Sequence, residues 1–208
     1  SQGFDAALAG VLGLLIGSFL NVVIYRTPVM MYRDWLADAV ANLMSSKDAP
    51  SLWSLAFGPK VAAPAGLEAS ADKAAEVVEK QPPFDLMRPA SRCGACGHEI
   101  RWYENIPVLS YAALRGRCSS CKTPISLRYP LVELITGGLF ALCAWRFGIT
   151  PAGALWAAFG AFLICQFLID FDTQFLPDSL NYPLLWLGLI GAAMGWTGVS
   201  LSSAVWGA

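Results

Sequence analysis

Two pairs of cysteines, Cys93-Gly94-Ala95-Cys96 and Cys118-Ser119-Ser120-Cys121, carry the most specific chemistry in this sequence. Each pair offers two thiolates from one tight turn, and two such pairs make the ligand set of a tetrahedral S₄ zinc site. A second group is acidic: Asp170, Asp172 and Asp178 fall within Leu168–Asp178, with no cation among them, directly after the apolar stretch Phe162–Ile169. An aspartate costs about 2.5–3.5 kcal/mol at the centre of a membrane helix and less toward the interface, so carboxylates kept beside lipid are candidates for chemistry. Asp170 follows the apolar stretch without a break, which puts it at the interface itself and makes it the first candidate. Asp172 and Asp178 also read as solvated loop residues, and Asp178 or Ser179 as the cap of the next helix.

The cysteines have alternatives. A disulfide pair is one, but persistent bridges are rare in a reducing compartment, which is where the topology below places them. His98 follows the first pair and is a further conceivable ligand; with four cysteines in place, a supporting or surface role fits it better. Gly94 and Gly97 suit the turn that aims backbone amides at thiolate sulfur. Four sulfur ligands leave no open coordination position, so the expected zinc is structural. Cys143 and Cys165 fall inside apolar runs and read as small apolar residues.

The elements that position these groups follow from composition. The chain is 56% hydrophobic and only 14% charged, with a mean hydropathy of +0.51, which indicates an integral membrane protein and not an ordinary soluble domain. A net charge of −1 supplies no concentrated basic face, so no nucleic-acid partner is expected. Apolar runs of membrane length lie at about Phe4–Ile24, Tyr129–Phe147, Pro151–Ile169 and Leu180–Val199. No basic segment precedes Asp5, so the first run reads as a spanning helix and not as a signal peptide.

Of the fourteen Lys and Arg residues, all but Arg146 fall between Arg26 and Arg128. The positive-inside bias assigns that loop to the cytoplasm and the N-terminus to the outside. Alternation then brings Asp170–Ser179 to the cytoplasmic face as well. Within the loop, Ser45–Pro89 reads as a mobile insertion with a short polar helix at Ala71–Lys80, whereas Ala90–Lys122 has the Cys, Gly and aromatic content of a metal-stapled domain. Glu99, Glu104 and Asp85 read as ordinary solvated surface, or as attractors of a basic peptide. Glu133, just inside the second span, either snorkels to the interface or shapes a substrate site. The expected fold is an all-α polytopic membrane protein with a small cytoplasmic zinc-ribbon-like domain in its first loop. Its parts are a first transmembrane helix (1–26), a cytoplasmic loop with a mobile insertion (27–89), the ribbon (90–128) and further membrane helices (129–208).

An ordered series of motifs runs through this frame: Gly17-Ser18-Phe19-Leu20-Asn21, the two cysteine pairs, Glu104-Asn105-Ile106-Pro107, Arg128-Tyr129-Pro130-Leu131-Val132-Glu133, and Leu176-Pro177-Asp178 with Pro183-Leu184-Leu185-Trp186. Together they closely resemble the bifunctional type IV prepilin leader peptidase and N-methyltransferase family, along almost the whole chain except Ser45–Pro89. The resemblance implies a bacterial inner-membrane aspartic protease that cuts the basic leader from type IV prepilins or type II secretion pseudopilins. It also implies methylation of the new N-terminus from S-adenosylmethionine.

The family's first catalytic aspartate stands seven residues before the proline of Leu-Pro-Asp, which is Asp170 here. The resemblance loosely implies a part in methylation for Gly116 and Arg117, which read equally as a zinc-loop turn and a positive-inside anchor, and Glu133 and Asp178 fall within family motifs. The second family aspartate belongs to a G-x-G-D motif that this sequence does not contain. Two carboxylates sharing a proton divide the acid and base roles, and one cannot fill both. Asp172 is no substitute, because side chains at i and i+2 do not face each other on a helix. This polypeptide alone is therefore expected to be incomplete for proteolysis. A rival reading is a non-enzymatic membrane scaffold whose ribbon docks an assembly partner; a cytoplasmic dithiol redox protein is excluded by the spans and the paired cysteines.

Overall fold

The computed structural model describes residues 1–44 and 52–207. Among these all regular structure is helical, and three helices are long and apolar enough to cross a membrane: α1 (Gln2–Leu43), α5 (Arg128–Phe147) and α6 (Pro151–Thr173). The chain forms two compact units, one of Ser1–Thr27 with Ala90–Ala208 and the other of Pro28–Pro89.

In the first unit, α1 and α5 meet through their smallest residues. A Cβ on Gly17 would lie 2.7 Å from the Glu133 Cα, and one on Gly13 would lie 2.9 Å from the Gly137 Cα, so the two backbones approach closely enough for dispersion to hold them. The turn from α5 to α6 is set by Gly148 at φ 71° and by Thr150, whose Oγ1 accepts the Gly153 N–H at 3.2 Å while Pro151 occupies the first helical position. Thr136, Cys165 and Ile169 fill the centre. Helix α7 (Asp178–Ala193) is tied to α6 by a polar contact, the Gln166 amide donating to Asn181 Oδ1 at 2.6 Å.

Two spans differ from the sequence reading. The first is expected to end at Arg26, but α1 continues as a helix through Pro28 to Leu43. One proline removes a single i→i−4 bond, and Val29–Leu43 contains neither Gly nor Pro to stop the helix. The fourth apolar run shortens: α7 has 16 residues, about 24 Å of helix against a hydrocarbon core of about 30 Å. Gly195 and Gly198, both at φ 73°, turn the chain before a short α8 (Leu201–Trp206).

The second unit carries α2 (Leu52–Phe57) and α3 (Leu67–Glu79), the latter at the polar helix expected for Ala71–Lys80. There Arg33 donates to the Pro82 carbonyl and stacks over Phe84. The expected mobile insertion begins at Ser45, and its stretch 45–51 lies outside the described residues.

Candidate functional site

Each cysteine pair sits in a loop with the same hydrogen-bond pattern. Cys93 N–H donates to His98 O, Gly97 N–H to Cys93 O and Ile100 N–H to Ser91 O; Cys118 N–H donates to Thr123 O, Lys122 N–H to Cys118 O and Ile125 N–H to Gly116 O. The matched fifth residues, Gly97 and Lys122, both take positive φ, 72° and 61°. The two loops face each other and bring the four Sγ atoms within 4.8 Å of one another. Cys93 Sγ lies 3.8 Å from Cys121 Sγ, and Cys96 Sγ 4.0 Å from Cys118 Sγ. A disulfide needs about 2.05 Å, whereas metal–sulfur bonds of about 2.3 Å in a tetrahedron put sulfurs about 3.8 Å apart. The cluster thus fits a tetrahedral metal ion.

Electrostatics point the same way. The Ala95 and Cys96 amides lower the Cys93 thiol, and the Thr123 hydroxyl and amide bring Cys121 down to about 6. For Cys96 the His98 amide acts downward, but Cys121, burial and the Cys93 and Cys118 thiols together push it up to about 11. A set of thiols that resists giving up its last proton is what a divalent cation relieves.

Beside this cluster His98, Glu104 and Ser119 converge. His98 Nε2 lies 3.2 Å from Glu104 Oε2 and 3.1 Å from Ser119 Oγ, while Arg101 N–H donates to the same Glu104 oxygen at 2.9 Å. Ser119, the Arg101 amide and His98 hold the Glu104 carboxyl at about 2 against its partial burial. Because the serine and the carboxylate meet one ring nitrogen, this is not the relay of a hydrolytic triad, which uses both. His98 is not among the clustered sulfur donors and braces the ribbon instead. The sequence does not disclose this network, since Glu104 reads there as solvated surface or as an attractor of a basic peptide. The other two acidic residues of that reading are engaged within the chain, Glu99 with Arg92 at 3.9 Å and Asp85 with the Met87 and Arg88 amides at 2.7 Å.

Gly116 is buried at φ 65°, where a Cβ would lie 2.7 Å from the Tyr111 hydroxyl. Tyr111 belongs to α4 (Leu109–Ala113) and donates to Ile125 O at 3.2 Å. Arg117 is exposed and pairs through its backbone with Pro124. Glu133 is buried at 7% exposure; it accepts the Val108 N–H at 2.8 Å, and the Ser18 hydroxyl also reaches it.

At the end of α6 the aspartates separate. Asp172 receives both arms of the Arg128 guanidinium, at 2.9 and 2.7 Å, and Arg128 also donates to the Leu168 carbonyl at 3.4 Å. Asp170 is exposed, and its carboxylate makes neither a hydrogen bond nor an ion pair among the described residues, although its backbone carbonyl accepts the Gln174 N–H at 2.8 Å. Asp178 is the first residue of α7, in the turn where a carboxylate complements the helix dipole, but it makes no side-chain cap.

Residues 11–147 match the family model of the Bacterial Peptidase A24 N-terminal domain, and residues 157–208 that of the Type IV leader peptidase family. This chain belongs to the type IV leader peptidase family. The prepilin leader peptidase/N-methyltransferase of Neisseria gonorrhoeae is 46% identical over 99% of this chain and 61% of its own length. Those of Stutzerimonas stutzeri and Pseudomonas aeruginosa are 48% and 47% identical, over 95% of this chain and 58% and 57% of theirs. The chain therefore spans 57–61% of the length of these relatives. No solved structure matches it. In this chain Arg128 connects the two chemical groups: it opens α5 directly after the second cysteine loop and grips the end of α6 that carries Asp170.

Proposed function

We propose that this chain provides the metal-ribbon and first-aspartate part of a prepilin leader peptidase/N-methyltransferase of the bacterial inner membrane, with the ribbon and the end of α6 on the cytoplasmic side. The observation that carries the reading is the contrast at the end of α6: Asp172 is held by Arg128, while the Asp170 carboxylate is exposed and has no partner among the described residues. A prepilin with a basic cytoplasmic leader and an apolar membrane helix presents its scissile bond at that interface. There Asp170 acts as one member of a two-carboxylate pair, one taking a proton from the attacking water while the other donates to the amide carbonyl. Glu133 and Asp178, which fall within family motifs, are the further candidates for the substrate site in this reading.

Zinc bound by Cys93, Cys96, Cys118 and Cys121 is structural in this reading. Removing it with a chelator releases one zinc per chain and lowers the thermal stability of the ribbon, whereas a ribbon equally stable without metal would refute the assignment. S-adenosylmethionine supplies a methyl group on a cationic sulfur. The newly exposed amine bonds to that methyl and loses a proton to solvent, and the sulfur keeps the bonding pair as a neutral thioether.

The test is prepilin cleavage in membranes by this chain alone, by the chain with the C-terminal segment of a relative co-expressed, and by an Asp170→Ala version of each. Asp170-dependent cleavage with the added segment, and none without it, supports a two-aspartate protease completed in trans. Asp170-dependent cleavage by the chain alone overturns its expected incompleteness. No cleavage by a folded, zinc-loaded pair returns the weight to a membrane scaffold.

A further inference from the structure

The ribbon carries an open cleft of about 610 Å³ beside the cysteine cluster, and none of the four cysteines lines it. Its size lies in the range of about 300–1,000 Å³ usual for small-molecule sites. Three chemistries meet in it. Glu104 supplies a carboxylate only 10% exposed, already oriented by the Arg101 amide and His98. Arg101 supplies a guanidinium, held on the Tyr103 hydroxyl at 2.6 Å. Ala113 and Leu114 form an apolar wall from α4 and its C-terminal residue. An anion, a cation and an apolar wall around one cavity suit a zwitterion that carries both an extra positive charge and a flat heterocycle.

We propose that this cavity binds S-adenosylmethionine, Glu104 balancing the sulfonium charge, Arg101 the amino-acid carboxylate, and Ala113 and Leu114 covering the base. The inference rests on the methyltransferase reading and gives it a place. It also gives Gly116 a route to methylation that needs no contact with the methyl donor. A side chain there pushes on Tyr111, and Tyr111 lies on the same helix as Ser110 and Ala113 of the cavity wall.

Calorimetric titration of the detergent-solubilised chain with S-adenosylmethionine, and separately with S-adenosylhomocysteine, which lacks the sulfonium charge, tests this. The unsubstituted chain binds both saturably. Ala113→Trp fills the cavity from an exposed helix position, so thermal unfolding stays that of the parent while both ligands lose measurable binding. Glu104→Gln weakens S-adenosylmethionine by roughly tenfold or more and S-adenosylhomocysteine by less than about threefold. Parental affinity in both variants overturns the site and leaves the methyltransferase reading standing. Equal weakening of both ligands by Glu104→Gln overturns the sulfonium assignment. An unsubstituted chain that neither binds S-adenosylmethionine nor methylates a cleaved pilin N-terminus overturns the reading together with the site.

Discussion

Asp170 and Asp172 stand two residues apart on α6, yet among the described residues one carboxylate has no partner and the other is clamped. The difference comes from Arg128, whose guanidinium is aimed by its place at the start of α5 and takes Asp172 in a two-pronged pair. Both partners are more than a third exposed, at 36% and 38%, so water screens the pair and it contributes about 0.5–1 kcal/mol. Asp172→Asn therefore lowers thermal stability slightly and leaves Asp170 in place. Asp170→Asn leaves unfolding unchanged, because its carboxylate supports nothing else in the described structure, and abolishes prepilin cleavage wherever the completed enzyme is active. Thermal unfolding and cleavage assayed on both variants separate the roles; loss of cleavage in Asp172→Asn with full retention in Asp170→Asn would reverse them. The sequence separated the two aspartates through the place of Asp170 directly after the apolar stretch and through the family's spacing. Arg128 was legible as a flanking positive charge but not as Asp172's partner, because 44 residues separate them and only the packing of α5 on α6 closes that distance.

The ribbon is an element with an internal repeat that the sequence half conceals. Its two loops share three hydrogen bonds in register, yet the residue forced to positive φ is glycine in one and lysine in the other. An L side chain in that conformation costs about 1–2 kcal/mol relative to the right-handed region. Lys122→Gly thus relieves strain, offset by the lost Lys122 Nζ to Ser119 O hydrogen bond, which is exposed, and raises ribbon stability by about 0.5–1 kcal/mol. Gly97→Ala at the matched position lowers it by about 1 kcal/mol. Thermal unfolding of the zinc-loaded variants checks both signs, and a stabilised Gly97→Ala protein would contradict the matched-loop account. The cysteine loops were readable because each is local: the spacing alone dictates a turn with two sulfurs. The network of His98, Glu104 and Ser119 was not, since Ser119 comes from the other loop and reaches His98 only once the loops face each other. The end of α7 escaped for the opposite reason. Its apolar composition continues to Val199, and the helix is stopped by backbone turns at Gly195 and Gly198 that hydropathy does not register.

Across the first unit, Glu133 joins what sequence order keeps apart. It lies on α5, receives the Ser18 hydroxyl from α1, and accepts the amide of Val108 at the head of α4. Val108 sits at φ 60°, ψ −46°, a conformation a β-branched residue leaves unless something holds it. The sequence offered two roles for this glutamate, snorkelling or shaping a substrate site, and its burial at 7% exposure makes snorkelling untenable. Glu133→Ala leaves the Val108 amide without its acceptor and lowers stability by about 1.5–3 kcal/mol, the usual cost for a hydrogen bond to a charged group. Glu133→Gln keeps an oxygen in the same position and retains most of that stability. Hydrogen exchange at the Val108 amide, followed beside thermal unfolding, distinguishes the tie from a general packing defect: the alanine variant exchanges faster there, while the Gln166–Asn181 region of α6 and α7 keeps its protection. Because α4 also walls the ribbon cavity, loosening Val108 reaches methyl-donor binding before it reaches the end of α6, where Arg128 holds Asp172 through separate contacts. Unchanged exchange at Val108 in Glu133→Ala would mean that the ribbon is held to the membrane helices by the chain connection at Arg128 and not by this carboxylate.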